Sequence, residues 1–150
     1  MKWVLLALLI LLPAQAAYAA DMMVKDAWVR LMPPVAQNSA VYMTLKNMSD
    51  ADIRIVDVST DAASSNGFHT MRMQDGKMVM HHVDSVIVPA QGEFSFVPGG
   101  FHIMLAGLSR ELHEKDVVNV VLTLADGGHF TLQAVVRDMR MGHGQHGGMH

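Results

Sequence analysis

From residue 24 to residue 136 the sequence is a succession of short runs rich in Val, Ile, Thr and Phe. Apolar and polar residues alternate within them, and turn-forming residues close each run. This period-two pattern constrains the chain more than any other feature, because side chains alternate between the faces of an extended strand. Strands are expected near 24–31, 40–47, 52–59, 66–73, 77–82, 85–88, 93–97, 101–105, 117–124 and 129–136. Between them fall Pro33-Pro34, Asn47 to Asp50, Asp75-Gly76, Gln91-Gly92, Pro98-Gly99-Gly100 and Asp126-Gly127-Gly128. Asp75-Gly76 and Asp126-Gly127 have the composition of hairpin turns. Helical periodicity is lacking, apart from room for one turn near 108–115. Many short strands at this spacing specify an all-β antiparallel sandwich or barrel.

The two ends of the chain have other compositions. Lys2, the apolar run from Trp3 to Leu12, the Pro13 break and Ala17-Tyr18-Ala19 have the layout of a signal peptide cleaved after Ala19. That run is too short to span a bilayer. The expected product is a periplasmic protein with no membrane span after cleavage. No Cys follows, which argues against a lipoprotein anchor. Residues 20–137 form one domain, and 138–150, rich in Gly, His and Met, read as a flexible tail. Without Lys2, ten basic residues face fourteen acidic ones, a net charge of about −4. No basic patch stands out, so nucleic acid is not expected as a partner. With zero Cys, an exported domain of this size must hold together by packing rather than by disulfides.

The chemistry concentrates between His69 and Met104. Ten residues separate His69 from Met80, twenty-one separate Met80 from His102, and one separates His102 from Met104. Thioether sulfur is a soft, uncharged donor. Combined with imidazole it favours Cu(I) over hard cations, and it is not among the usual zinc ligands. In a strand, His102 and Met104 share a face, as do Met78 and Met80, and His69, Met71 and Met73. The Asp75-Gly76 hairpin is expected to bring Met80 towards His69, with Phe101, Ile103 and Leu105 turned to the core.

The spacing, the HIMLAGL that carries its last two residues and the VPAQGEFSFVPGG before them resemble the periplasmic copper chaperone family PCu(A)C. AWVR at 27–30 and AVYMTLKN at 40–47 are also similar, so the likeness covers roughly 24–137. The resemblance implies a cupredoxin-like Greek-key fold. It also implies Cu(I) ligation by His69, Met80, His102 and Met104, and delivery to the copper centres of cytochrome oxidase. The recipient would be a copper-accepting oxidase subunit or another copper assembly factor. Periplasmic copper buffering or resistance, without a dedicated recipient, is the alternative.

The tail holds His143, His146, His150, Met141 and Met149, a second candidate set whose imidazoles suit Cu(II). Single methionines on apolar strands are usually core, which is the reading for Met32, Met43 and Met48. Met22 and Met23 are expected to fray. Met71, Met73 and Met78 fit either packing or auxiliary sulfur ligation. His81 and His82 read as surface imidazoles with at most a minor part in metal capture, and His113 and His129 as solvated. No enzyme is expected. A blue-copper centre needs a Cys thiolate, and no Ser sits in a nucleophile elbow.

Overall fold

The computed structural model describes residues 21–139. The expected signal peptide, and His143, His146, His150, Met141 and Met149 of the tail, lie outside the described residues. Ten strands follow in order: β1 Met22–Arg30, β2 Asn38–Asn47, β3 Ile53–Thr60, β4 Ala63–Gln74, β5 Lys77–Val83, β6 Val86–Val88, β7 Glu93–Phe96, β8 His102–Leu108, β9 Val117–Leu124 and β10 His129–Arg137. All ten expected strands are present, most within two residues of the expected bounds. Among the described residues there is no α-helix, and none long and apolar enough to cross a membrane. The segment around 108–115 holds a turn instead.

The strands form one sheet in the order β5-β4-β8-β2-β1-β10-β9-β3-β6, with β7 also on β2. All pairs are antiparallel except β1 with β10. Five steps of sheet separate β2 from β6, about 24 Å if the sheet were flat. Yet β6 touches both β2 and β7. The sheet therefore folds over on itself and encloses its core, as expected of an all-β sandwich. Alternation along β9 shows how the pattern builds this core. Val118, Val120, Leu122 and Leu124 are buried, while Val117, Asn119, Val121 and Thr123 are not.

Two local devices shape the site. β7 and β8 run along the same side of β2, pairing with residues 43–46 and 38–41 respectively. They act as one strand interrupted by residues 97–101. That loop is closed by Val97 N–H to Phe101 O (2.8 Å) and Gly100 N–H to Val97 O (3.0 Å). Phe94 and Phe101 pack edge to face at 5.1 Å across it, so the loop is clamped at its base. The second device is the β4–β5 hairpin. Asp75 and Gly76 both have positive φ (51° and 75°), the two-residue geometry that matches strand twist. This turn sets the β4–β5 register.

Three methionines depart from expectation. Met22 is buried, not frayed, because β1 pairs with β2 from Met22 opposite Asn47 onwards. Met48 is 45% exposed rather than core, since the buried Asn47 turns the chain there. The Asn47 side-chain oxygen accepts from Ser49 N–H (2.9 Å), and its amide donates to Ala51 O (2.7 Å). Met32 is only partly buried and lines a surface depression. Met43 is core, as expected.

Candidate metal centre

Strands β5, β4 and β8 lie side by side, and their register decides which side chains meet. His82, His69 and His102 stand opposite one another across the three strands. One step along, Met80 stands opposite Met71. One step the other way, Met104 lies between Gly67 of β4 and Ala40 of β2. All these residues share one face. Phe68, Thr70, Ile103 and Leu105 occupy the other and are buried. The four residues singled out by spacing therefore come to one outer face of the sheet, backed by core.

Two depressions adjoin on this face. One is lined by Met71, Met80, His102 and Met104, the other by Gly67, His69, His82 and Met104. Met104 is the wall they share. Its neighbours across the strands are Gly67 and Ala40, so its thioether arm has room to swing. No carboxylate lines either depression, which leaves hard divalent cations without their preferred ligands. Among the described residues, no three His, Cys, Asp or Glu side chains are placed to hold a metal together. Any metal held here must draw on sulfur as well as imidazole.

The two central imidazoles are oriented alike. His102 Nδ1 lies 3.2 Å from Gly100 O and His69 Nδ1 lies 3.4 Å from Gly67 O. A carbonyl oxygen only accepts, so each Nδ1 must donate a proton. In the neutral ring that leaves Nε2 with a free lone pair. Fixing the tautomer through the other ring nitrogen is how metal-binding histidines are usually held. Gly100 O also accepts Met71 N–H (3.4 Å), so the 97–101 loop ties β4 to the ring of His102.

His102 Nε2 sits 3.3 Å from Met80 Sδ. Thioether is a weak acceptor, and the His102 proton is already committed to Gly100 O. The contact thus brings two lone pairs face to face. For scale, a nitrogen and a sulfur bound to one tetrahedral zinc, at about 2.0 and 2.3 Å, stand about 3.5 Å apart. The spacing fits a shared soft ion. His69 and His102 rings are near-parallel, their centroids 5.9 Å apart. The pKa of His69 lies below its ordinary 6.5. Partial burial is the main cause, opposed by the Gly67 carbonyl and reinforced by the nearby imidazoles of His82 and His102. The shift favours the neutral, ligating form.

One expectation about this face is sharpened. Met80 comes to the face of His69 but does not stand directly opposite it across the hairpin. Its cross-strand partner is Met71 and its sulfur reaches His102, while His82 takes the place beside His69, ring centroids 5.3 Å apart. His82 was read as a surface imidazole. It is exposed, with Asp84 3.4 Å away, but it belongs to the same face as the site. The signal was available, since His82 stands two residues beyond Met80 on one strand. Met71 lines the depression, whereas Met73 and Met78 lie on the exposed hairpin tip. His113 and His129 are exposed, as expected.

Comparison with known proteins gives the family and the fold. The family model described as "Putative lipoprotein LpqE-like" matches residues 22–136. The putative lipoprotein Lxx21020 of Leifsonia xyli is 30% identical over 132 residues, covering 85% of this chain and 78% of its own. The solution structure of CuI-DR1885 from Deinococcus radiodurans is 32% identical and superposes with a TM-score of 0.65, covering 84% of each chain. The copper-bound PCuAC domain from PmoF2 shares the fold at 20% identity, with a TM-score of 0.66 over 79% of this chain and 93% of its own.

Proposed function

The chain belongs to the LpqE-like (PCuAC) family, and on that premise we propose that it is a copper carrier of the cell envelope. It would bind Cu(I) through His69, Met80, His102 and Met104 and hand the ion to copper centres of cytochrome oxidase, directly or through another assembly factor. The observation that carries this reading is the 3.3 Å approach of His102 Nε2 to Met80 Sδ, with the imidazole proton held at the other nitrogen. The 32% identity to a protein whose structure was solved with Cu(I) supports it. So does the lack of any charged oxygen in the lining of the two depressions.

Carriage requires release as well as capture. Met80 is 44% exposed, so an acceptor's ligand can approach the ion from solvent while His102 still holds it. Individual thioethers bind modestly and exchange one at a time. The core lies behind β8 and is not opened by the exchange. The tail set, His143, His146, His150, Met141 and Met149, would gather Cu(II). Passing that copper to the Cu(I) site consumes one electron per ion from an external reductant.

X-ray absorption of the Cu(I)-loaded chain should count two nitrogen and two sulfur neighbours. A spectrum with only nitrogen or oxygen neighbours would end the ligand assignment. Transfer separates carriage from buffering. Loaded protein mixed with an apo oxidase copper domain should metallate it faster than chelated copper does. Equal rates would leave buffering or resistance as the function.

A further inference from the structure

The β4–β5 hairpin carries more sulfur than the centre above uses. Beyond His69, β4 no longer pairs with β8, since the ladder between them ends at His69 opposite His102. The hairpin tip therefore projects as a bare two-stranded ribbon, a structure with little stability of its own. Its register places Met73 opposite Met78 and Met71 opposite Met80. Both pairs lie on the face that carries His69 and His82. Met73 is 67% exposed and Met78 50%, so packing does not explain them. Methionine is also not among the residues that favour strands.

We propose that Met71, Met73 and Met78 form a second, thioether-only site for Cu(I) at this tip, contiguous with the first through Met80. Cross-strand side chains start about 4.5–5.5 Å apart at Cβ, and successive residues on one face are about 6.7 Å apart along the strand. Flexible thioether arms span those gaps, so three sulfurs can close on one soft monovalent ion. With no imidazole in the set, the tip binds more weakly than the centre. It passes the ion inward by exchanging Met73 and Met78 for Met80 and His102. This deepens the carrier reading and rests on it for the direction of travel, but not for the existence of the tip site.

The test uses the full chain with 13C-labelled methionine methyl groups, titrated with Cu(I) kept reduced by ascorbate. Met80 and Met104 should respond over the first equivalent, and Met73 and Met78 together over a later one, with Met71, which borders both sites, responding in each. In the double variant Met73→Leu, Met78→Leu the later equivalent should be lost from the tip while the first remains. If the tip methyls stay still while Met80 and Met104 shift, the second site is refuted and the carrier reading stands. If the tip responds while Met80 and Met104 stay silent, the tip site stands and the four-ligand centre falls. Tip shifts caused by an apo acceptor protein, and none by metal, would mean that the ribbon docks protein and would overturn the proposal.

Discussion

Gly67 gives a sharp test of how the site is packed. It lies in β4 opposite Met104, and its φ is outside the left-handed region, so its backbone does not require glycine. A Cβ there would meet His69 Cε1 at 3.5 Å and His82 Cε1 at 3.6 Å, ordinary contact distances. Gly67→Ala should therefore fit. Removing a strand glycine should add about 0.5–1 kcal/mol of stability, a rise in melting temperature of about 2–5 °C for a domain of this size. Gly67→Val is different. Its γ carbons reach about 1.5 Å beyond Cβ. They must press on the imidazoles to one side or on Met104 to the other. Displacing one ligand should weaken Cu(I) binding tenfold or more, about 1.4 kcal/mol. Thermal melts followed by circular dichroism and competition against a chromophoric Cu(I) chelator measure the two effects. If Ala melts below the natural protein, or Val holds copper within about twofold of Ala, the packing argument is wrong.

Further outcomes are expected. Met104→Leu roughly conserves volume and should melt within about 6 °C of the natural protein, yet lose Cu(I) affinity in the same competition assay; unchanged affinity would remove Met104 from the ligand set. Cu(I) affinity should fall on acidification, because protons compete for the neutral rings, with the His69 share of the loss displaced below the ordinary histidine range by the burial that lowers its pKa. Affinity unchanged on acidification would contradict imidazole ligation. The same shift contributes stability to the apo fold above the unfolded pKa, lost as pH falls through the folded one, since the unfolded chain takes up the proton first; urea titrations across that window measure it. Gly107, with φ +65° and a would-be Cβ 2.5 Å from Ser64 Oγ, does need its glycine. Gly107→Ala should cost about 1–2 kcal/mol in strained backbone with copper binding unchanged.

Alternation carried the strands because it reports one property, the face on which a side chain lies. From the sequence it placed Ile103 and Leu105 on the core face and His102 and Met104 on the other; Ile103 and Leu105 are core, and His102 lies on the opposite face yet is itself buried, with Met104 half-buried beside it. It does not report which residue of a neighbouring strand stands opposite. That depends on the turn and on topology, and a slip of register exchanges partners. Hence the sequence brings Met80 towards His69 without naming its direct partner, which the two-residue turn makes Met71. His82 was passed over for a related reason. Its place beside His69 shows only once β5 is laid on β4. The buried start of β1 had no local signal either, because Met22 is held by pairing with Asn47, twenty-five residues away in the chain.

The interrupted strand formed by β7 and β8 along β2 has a consequence for how such proteins can diversify. The interruption at residues 97–101 presents a carbonyl that steers His102, while Ile103 and Leu105 anchor the following segment from behind. Steering and anchoring thus belong to different residues. Donor identity on the outward positions can drift from one metal preference to another without disturbing the scaffold, so long as the kink and its two anchors are kept.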